Sequence, residues 1–320
     1  MWRYVLKRLL TTFLLLFGIT FIVYAILELT PGDPVMIKLG TDYTPEQYEE
    51  AKIMMGLDKP FLVRYFKYIY DVFLHFDFGT SYLGRSVVVE IINRAPKTFL
   101  ISVSSILVAT LIGIPLGIYS ALNQSTWKDN SAMVLALLGV SMPDFWVGLL
   151  LTLLFALRLG WLPATGLDGP KYLILPVITC SFGTLANIAR MTRSSMLEVI
   201  RQDYITTAKA KGQTRSKIIF KHALKNALIP IITVVGTQAS YMMGGVMVVE
   251  TVFAIGGMGT LMMSSITSLD YPMVLSCVLF ISMFSCLIVL LTDIAYAFVD
   301  PRIRSEYTSG NGRKKKVKAA

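Results

Sequence analysis

Asp144 sits in "SMPDFWVG", residues 141–148, inside an apolar run long enough to enter a bilayer. A carboxylate there is costly and is a functional candidate by default. Because Pro143 precedes it, it has a second reading: an acceptor for backbone N–H groups freed where a new helical half starts. Gln238, Ser240 and Tyr241 place polar groups midway along another apolar run. They either line one path with Asp144 or bond across helices. Catalysis needs more than this. His75 and His222 lie far apart and outside the apolar runs, and no paired-carboxylate or Ser/His/Asp constellation is visible. Nucleotide phosphates call for a G-x-x-x-x-G-K-[ST] loop, whereas "GGMG" (256–259) is followed by Thr260 and Leu261. Cys180, Cys277 and Cys286 fall in apolar runs at no metal spacing and read as small core residues. The chain therefore reads as a non-enzyme with no catalytic residue, no metal site and no cofactor of its own.

Membrane helices must position these groups. Of 320 residues, 54% are hydrophobic and 16% charged, which leaves too little polar surface for a soluble protein of this length. Apolar runs of the ~20 residues that cross a bilayer occur at 9–29, 99–122, 131–157, 172–189, 228–249 and 271–299. The expected fold class is an all-α polytopic bundle with six transmembrane helices. Arg3, Lys7 and Arg8 precede the first run, but the run is too long for a signal-peptide core, and "TPGDP" follows it instead of a cleavage site. With the N-terminus inside, 20 of the 30 Lys and Arg residues fall on inside segments: the N-tail, Lys128, residues 190–225 and the C-tail. That asymmetry follows the positive-inside rule and accounts for the net charge of +10 without nucleic acid.

Three stretches divide the chain: 1–98, a first helix plus a long outside segment; 99–299, a five-helix core with a loop at 190–227; and 300–320, a basic tail. In the outside segment, "TPEQ" (44–47) is a capping box with proline at the first helical position, predicting a helix to about Met55 with Gly56 as its stop. From Pro60, eight aromatics alternate with Arg64, Lys67 and Asp71 as in an amphipathic helix at the outer membrane surface. "GIPLGI" (113–118) and "SMPDFWVG" put helix breakers and close-approach glycines inside spans.

Residues 203–230 are basic, yet patterned as two helices. Asp203 is a good N-cap, Tyr204, Ile205 and Ala208 share a face, Gly212 is a stop, and Ile218, Ile219, Ala223 and Leu224 form a second face. Lys211/Arg215 and Lys221/Lys225 are like-charge pairs four apart, which need something negative nearby. Anionic membrane lipid and a groove on a cytoplasmic protein both fit. Residues 250–272 are too long for a hairpin and too apolar for a loop. Gly256, Gly257 and Gly259 predict a sharp turn with exposed backbone, and the residues after them have helical spacing, as in a half-helix at the outer mouth.

The 203–230 segment resembles the EAA loop of ABC-importer permeases, with Thr206, Thr207 and Ala208 in the place of Glu-Ala-Ala and Gly212 matching the family glycine. Leu224-Lys225 replaces the usual Leu-Pro, and the proline is delayed to Pro230. Those departures are similar to the peptide/nickel branch, as are "PGDP" (31–34), "DFGTS" (77–81), "GGMG", "DYP" (270–272) and "DPRIR" (300–304). The resemblance implies a type I ABC importer permease working by alternating access in the inner membrane of a prokaryote, both termini cytoplasmic. Its implied partners are a homologous second permease, two cytoplasmic ATPase subunits holding ATP and Mg, and an extracytoplasmic substrate-binding protein. The implied substrate is a di- or oligopeptide, with a nickel complex as the alternative; a self-sufficient secondary transporter would have only Asp144 as its coupling group. Residues Asp203, Tyr204, Thr206, Thr207, Ala208, Lys211 and Gly212 would couple to the ATPase. Gly256, Gly257, Met258 and Gly259 would reach the binding protein.

Overall fold

The computed structural model describes the backbone of residues 2–299 and the side chains of residues 10–296. The side chains of Arg3, Lys7 and Arg8, the "DPRIR" motif and the basic tail lie outside these ranges. The described residues fold into helices: α1 (Trp2–Leu29), α2 (Pro34–Leu39), α3 (Pro45–Met54), α4 (Phe61–His75), α5 (Val87–Leu122), α6 (Trp127–Ser141), α7 (Asp144–Arg158), α8 (Pro170–Ile200), α9 (Asp203–Ala210), α10 (Arg215–Val252), α11 (Met258–Thr267) and α12 (Tyr271–Val299). Five of them, α1, α5, α8, α10 and α12, are long and apolar enough to cross a membrane.

The expected third span, 131–157, is instead a broken pair. Helices α6 and α7 meet at 104° across Met142 and Pro143. Proline supplies no N–H and disfavours helical geometry in the residue before it; here Met142 is extended, with ψ 128°, whereas Pro96, Pro115, Pro176 and Pro230 sit inside continuous helices. Asp144 is the first residue of α7 rather than the middle of a span, and no hydrogen bond to its side chain occurs among the described residues. The last span, α12, has its expected bounds, whereas α5, α8 and α10 outrun their expected apolar runs. α10 begins at Arg215, so the second helix of the basic segment and the expected fifth span are one rod of 38 residues. The expected 190–227 loop reduces to α9 and its flanking turns, and the expected division at 98/99 falls inside α5.

In the outside segment the capping box forms as read. Thr44 Oγ1 accepts from Gln47 N–H (3.3 Å), and Gln47 Oε1 accepts from Thr44 N–H (2.9 Å). α3 ends in a Schellman motif with Gly56 at φ 70°. Asp33 caps α2 and accepts from the Tyr48 hydroxyl (2.7 Å), which pushes that phenol up to about 12. The aromatic-rich helix α4 packs along α1. Tyr65 is fully buried against Phe17, Phe21 and Tyr24, its hydroxyl bonds Phe17 O (2.8 Å), and Phe73 meets Phe13 edge-on.

The core of the bundle is the α5–α8 seam. A Cβ on Gly117 would lie 2.5 Å from Ala189 O, and one on Gly113 would lie 3.0 Å from Leu185 O, so the two backbones touch. α6 joins them through Gly139 on Ala186 and Phe182. At one end of this seam, Asp129 of α6 accepts from Arg193 Nε and Nη2 of α8, both at 2.7 Å.

Candidate functional site

α9 is held on the bundle by one face. Ile205 and Ala208 pack into a cluster with Ile118 and Ala121 of α5, Met196 of α8, and Ile218, Ile219 and Ala223 of α10. Ala208 is 7% exposed. It belongs to the chain's own core, not to a surface a partner could grip, because i and i+3 share a helix face and Ile205 fixes which face is inward. Asp203, Tyr204, Thr206, Thr207, Lys211 and Gly212 are exposed. The N-cap is Gln202; Asp203 is the first helical residue, where its charge still favours the helix N-terminus. At the other end the Gly212 stop forms as read. Gly212 N–H bonds Lys209 O, Gln213 N–H bonds Ala208 O, and Gly212 has φ 70°. His222 Nε2 lies 2.6 Å from Gln213 Oε1 and closes this turn onto α10.

The exposed faces of the spans differ in chemistry. Leu100, Val103, Leu107 and Leu111 of α5, Ile174, Ile178 and Phe182 of α8, and Met283, Leu287 and Leu291 of α12 are apolar. Within residues 228–252 of α10 the exposed positions are Thr233, Thr237, Tyr241, Gly244, Val248 and Thr251, spaced by three or four residues along one stripe. Thr237 and Thr251 donate to their own helix, leaving their lone pairs outward. Tyr241 is 73% exposed. Of the polar residues read as a path, only Tyr241 lies on this stripe. Ser240 exchanges hydrogen bonds with Ser285 of α12 (both 3.3 Å), so it joins helices, and Gln238 is half-buried beside the stripe. Asp144 is half-buried on α7, the helix whose Gly148 packs on Thr179 of α8 and on Val252 and Phe253 at the end of α10.

At that end, residues 254–259 turn back into α11. The half-helix exists, but its glycines do not make the turn. Ala254, at φ 49°, terminates α10 in a Schellman motif, with Ile255 N–H on Glu250 O (2.7 Å). Gly257, Met258 and Gly259 are buried rather than exposed. A Cβ on Gly257 would collide with the Glu250 carboxylate, and one on Gly259 would lie 2.5 Å from Met247 Cα. The glycines thus permit close approach to α10. Glu250 is the residue the sequence reading missed. Its fully buried carboxylate accepts from Thr98 Oγ1 (2.5 Å) and Thr260 N–H (3.1 Å), at the N-terminus of α11 where a negative charge is favoured. Missed as well was a pairing between two of the quoted motifs. Asp270 of "DYP" accepts from the Ser81 hydroxyl and from Tyr82 N–H (3.1 Å), so the "DFGTS" loop is tied to the start of α12.

Residues 113–305 match the family described as the inner membrane component of binding-protein-dependent transport systems, and residues 1–102 match its N-terminal region. A dipeptide transport system permease protein of Alkalihalophilus pseudofirmus is 38% identical over 95% of this chain and 100% of its own length. A glutathione transport system permease protein of Salmonella typhimurium is 38% identical over 95% and 99%. Among solved structures, a chain of the inward-facing MetNI methionine ABC transporter matches with TM-score 0.55 at 18% identity, covering 67% of this chain and 97% of that one. That last likeness is one of fold.

Proposed function

The chain belongs to the family of inner membrane components of binding-protein-dependent transport systems, and from that premise we propose that it is the permease subunit of an ATP-driven importer of short peptides. The observation that carries this reading is the hydroxyl-rich stripe on α10. Thr233 Oγ1 accepts from the Tyr296 hydroxyl of α12 (2.8 Å), but Tyr241 and the outward lone pairs of Thr237 and Thr251 are disfavoured against acyl chains. They fit a water-filled path closed by a second, homologous permease, with Tyr241 at its centre. The relatives' substrates, a dipeptide and glutathione, favour a peptide over a nickel complex. A peptide backbone offers many donors and acceptors, and a stripe of hydroxyls can exchange hydrogen bonds with them without holding any one side chain.

ATP and Mg belong to separate cytoplasmic subunits in this reading. The free face of α9, with Tyr204, Thr207 and Lys211, docks on them, while Ile205 and Ala208 hold the helix to the permease. Closure of the ATPases pushes α9, and the helices packed on it move from inward-open to outward-open. An extracytoplasmic binding protein delivers the peptide at the α10–α11 mouth. Both termini are then cytoplasmic, with the α6–α7 pair counting as one crossing.

The test is uptake of labelled dipeptide into proteoliposomes containing the two permeases and ATPases, with binding protein outside and ATP inside. Uptake that needs both ATP and binding protein is expected, and Tyr241→Ala should change the rate with assembly intact. Uptake driven by an ion gradient without ATP would overturn the reading.

A further inference from the structure

We propose that Asp129 and Arg193 are a positioning pair that locks α6 to the α5–α8 seam, so that a push on α9 reaches the α6–α7 break as one rigid motion. The inference rests on the permease reading above. It starts from how many restraints converge on one carboxylate. Asp129 is 1% exposed and accepts from Arg193 Nε and Nη2 (2.7 Å each), Ser120 Oγ (2.5 Å) and Ser125 N–H (3.0 Å). Those donors come from α8, from the end of α5 and from the corner that leads into α6. Ser125 adopts φ 62°, a left-handed conformation unusual for serine, in the corner that aims its N–H at the carboxylate. A two-pronged Arg–carboxylate pair fixes direction as well as distance.

The pair sits beside the support of α9. Ser120 lies between Ile118 and Ala121, and Arg193 is one turn before Met196; those three apolar residues belong to the cluster into which Ile205 and Ala208 pack. Behind the pair, Gly113, Gly117 and Gly139 bring α5, α6 and α8 into backbone contact. These helices leave little room for internal slip. The first discontinuity beyond them is the 104° break at Met142 and Pro143, after which α7 packs on the end of α10. A displacement delivered at α9 therefore passes undiminished to the break as long as α6 cannot slide on α8. Loss of the pair lets α6 lag, and ATP turnover then proceeds with less peptide moved per cycle.

The experiment measures peptide transported per ATP hydrolysed in the reconstituted complex, for Asp129→Asn, Arg193→Lys and the double variant. Each single variant should lower that ratio by roughly two- to thirty-fold, the range of mutational effects on coupling, with ATP turnover largely kept. The double should be no worse than the worse single, because both break one link. Assembled complexes with an unchanged ratio would overturn the proposal. Where a variant fails to assemble, spin labels at positions 134 and 191 of the otherwise unmodified complex decide: their separation should be the same with and without trapped ATP, and a separation that changes would show that α6 slides and defeat the proposal. Absence of ATP-driven uptake by the unmodified complex would defeat the permease reading itself; a loss of coupling confined to the variants bears on the pair alone.

Discussion

Thr98 on α5 and Glu250 on α10, 152 residues apart, share a hydrogen bond, and the same Thr98 oxygen accepts from the N–H of Met258 (2.8 Å). One hydroxyl and one carboxylate thus seat the first turn of α11. Gly257, just before that turn, is a glycine because the carboxylate occupies the space a side chain would need, and Gly259 because Met247 does.

Gly257→Ala and Gly259→Val are therefore expected to destabilise the chain by about 1–3 kcal/mol through overpacking. Glu250→Ala should cost a similar amount by leaving the Thr98 hydroxyl and the Thr260 N–H unpaired. Thermal unfolding in detergent checks both. Glycine variants as stable as the parent would mean that the α10–α11 contact is looser than described.

Ala254 and Leu269 both terminate helices at φ 49°. A left-handed conformation costs a non-glycine residue roughly 1–2 kcal/mol. Ala254 is exposed, so Ala254→Gly should raise the melting temperature. Leu269 is buried beside Tyr24 and Tyr271, so Leu269→Gly should lower it, lost packing outweighing relieved strain. Opposite signs are the expected result of the paired measurement.

On α9 the two faces should separate in a pull-down. Ala208→Asp places a charge among Ile118, Met196 and Ile218 and should reduce the folded permease itself. Tyr204→Ala and Lys211→Glu should leave the permease folded and weaken its capture of ATPase subunits. Normal capture with both free-face variants would move the docking surface elsewhere.

Sidedness can be read by single-cysteine labelling in a background free of Cys180, Cys277 and Cys286. Positions 44 and 168 should react with an impermeant reagent from outside, and position 211 only after permeabilisation. If 168 labels from the side opposite to 44, the α6–α7 pair is a re-entrant element rather than a crossing.

The Asp33–Tyr48 link should respond to base. The phenol is raised from about 10 to about 12 because its proton bonds the carboxylate. Its contribution is then fully present below pH about 10 and lost as pH rises through about 12. Ultraviolet titration of the protein minus that of Tyr48→Phe should give the late midpoint; a midpoint near 10 would place the hydroxyl in water.

By itself the sequence determined what depends on near neighbours. The membrane setting follows from summed apolar length. The capping box at Thr44 and the stops at Gly56 and Gly212 follow from residues within one turn of each other. Only the tertiary structure decided what depends on who lies opposite. Local pattern put Ala208 on an apolar face but could not say whether its neighbour is a partner or α5 and α8. Schellman ends at Ala254 and Leu269 carry no glycine, because surrounding packing holds a conformation that local preference opposes. Gly257 and Gly259 of "GGMG" looked like turn-formers and are spacers, since the groups they make room for, Glu250 and Met247, come from another helix. Asp129 and Arg193 stand 64 positions apart, and only the packing of α6 on α8 brings them to 2.7 Å. A charge's meaning is set by its partner and its dielectric surroundings, and both are created by folding.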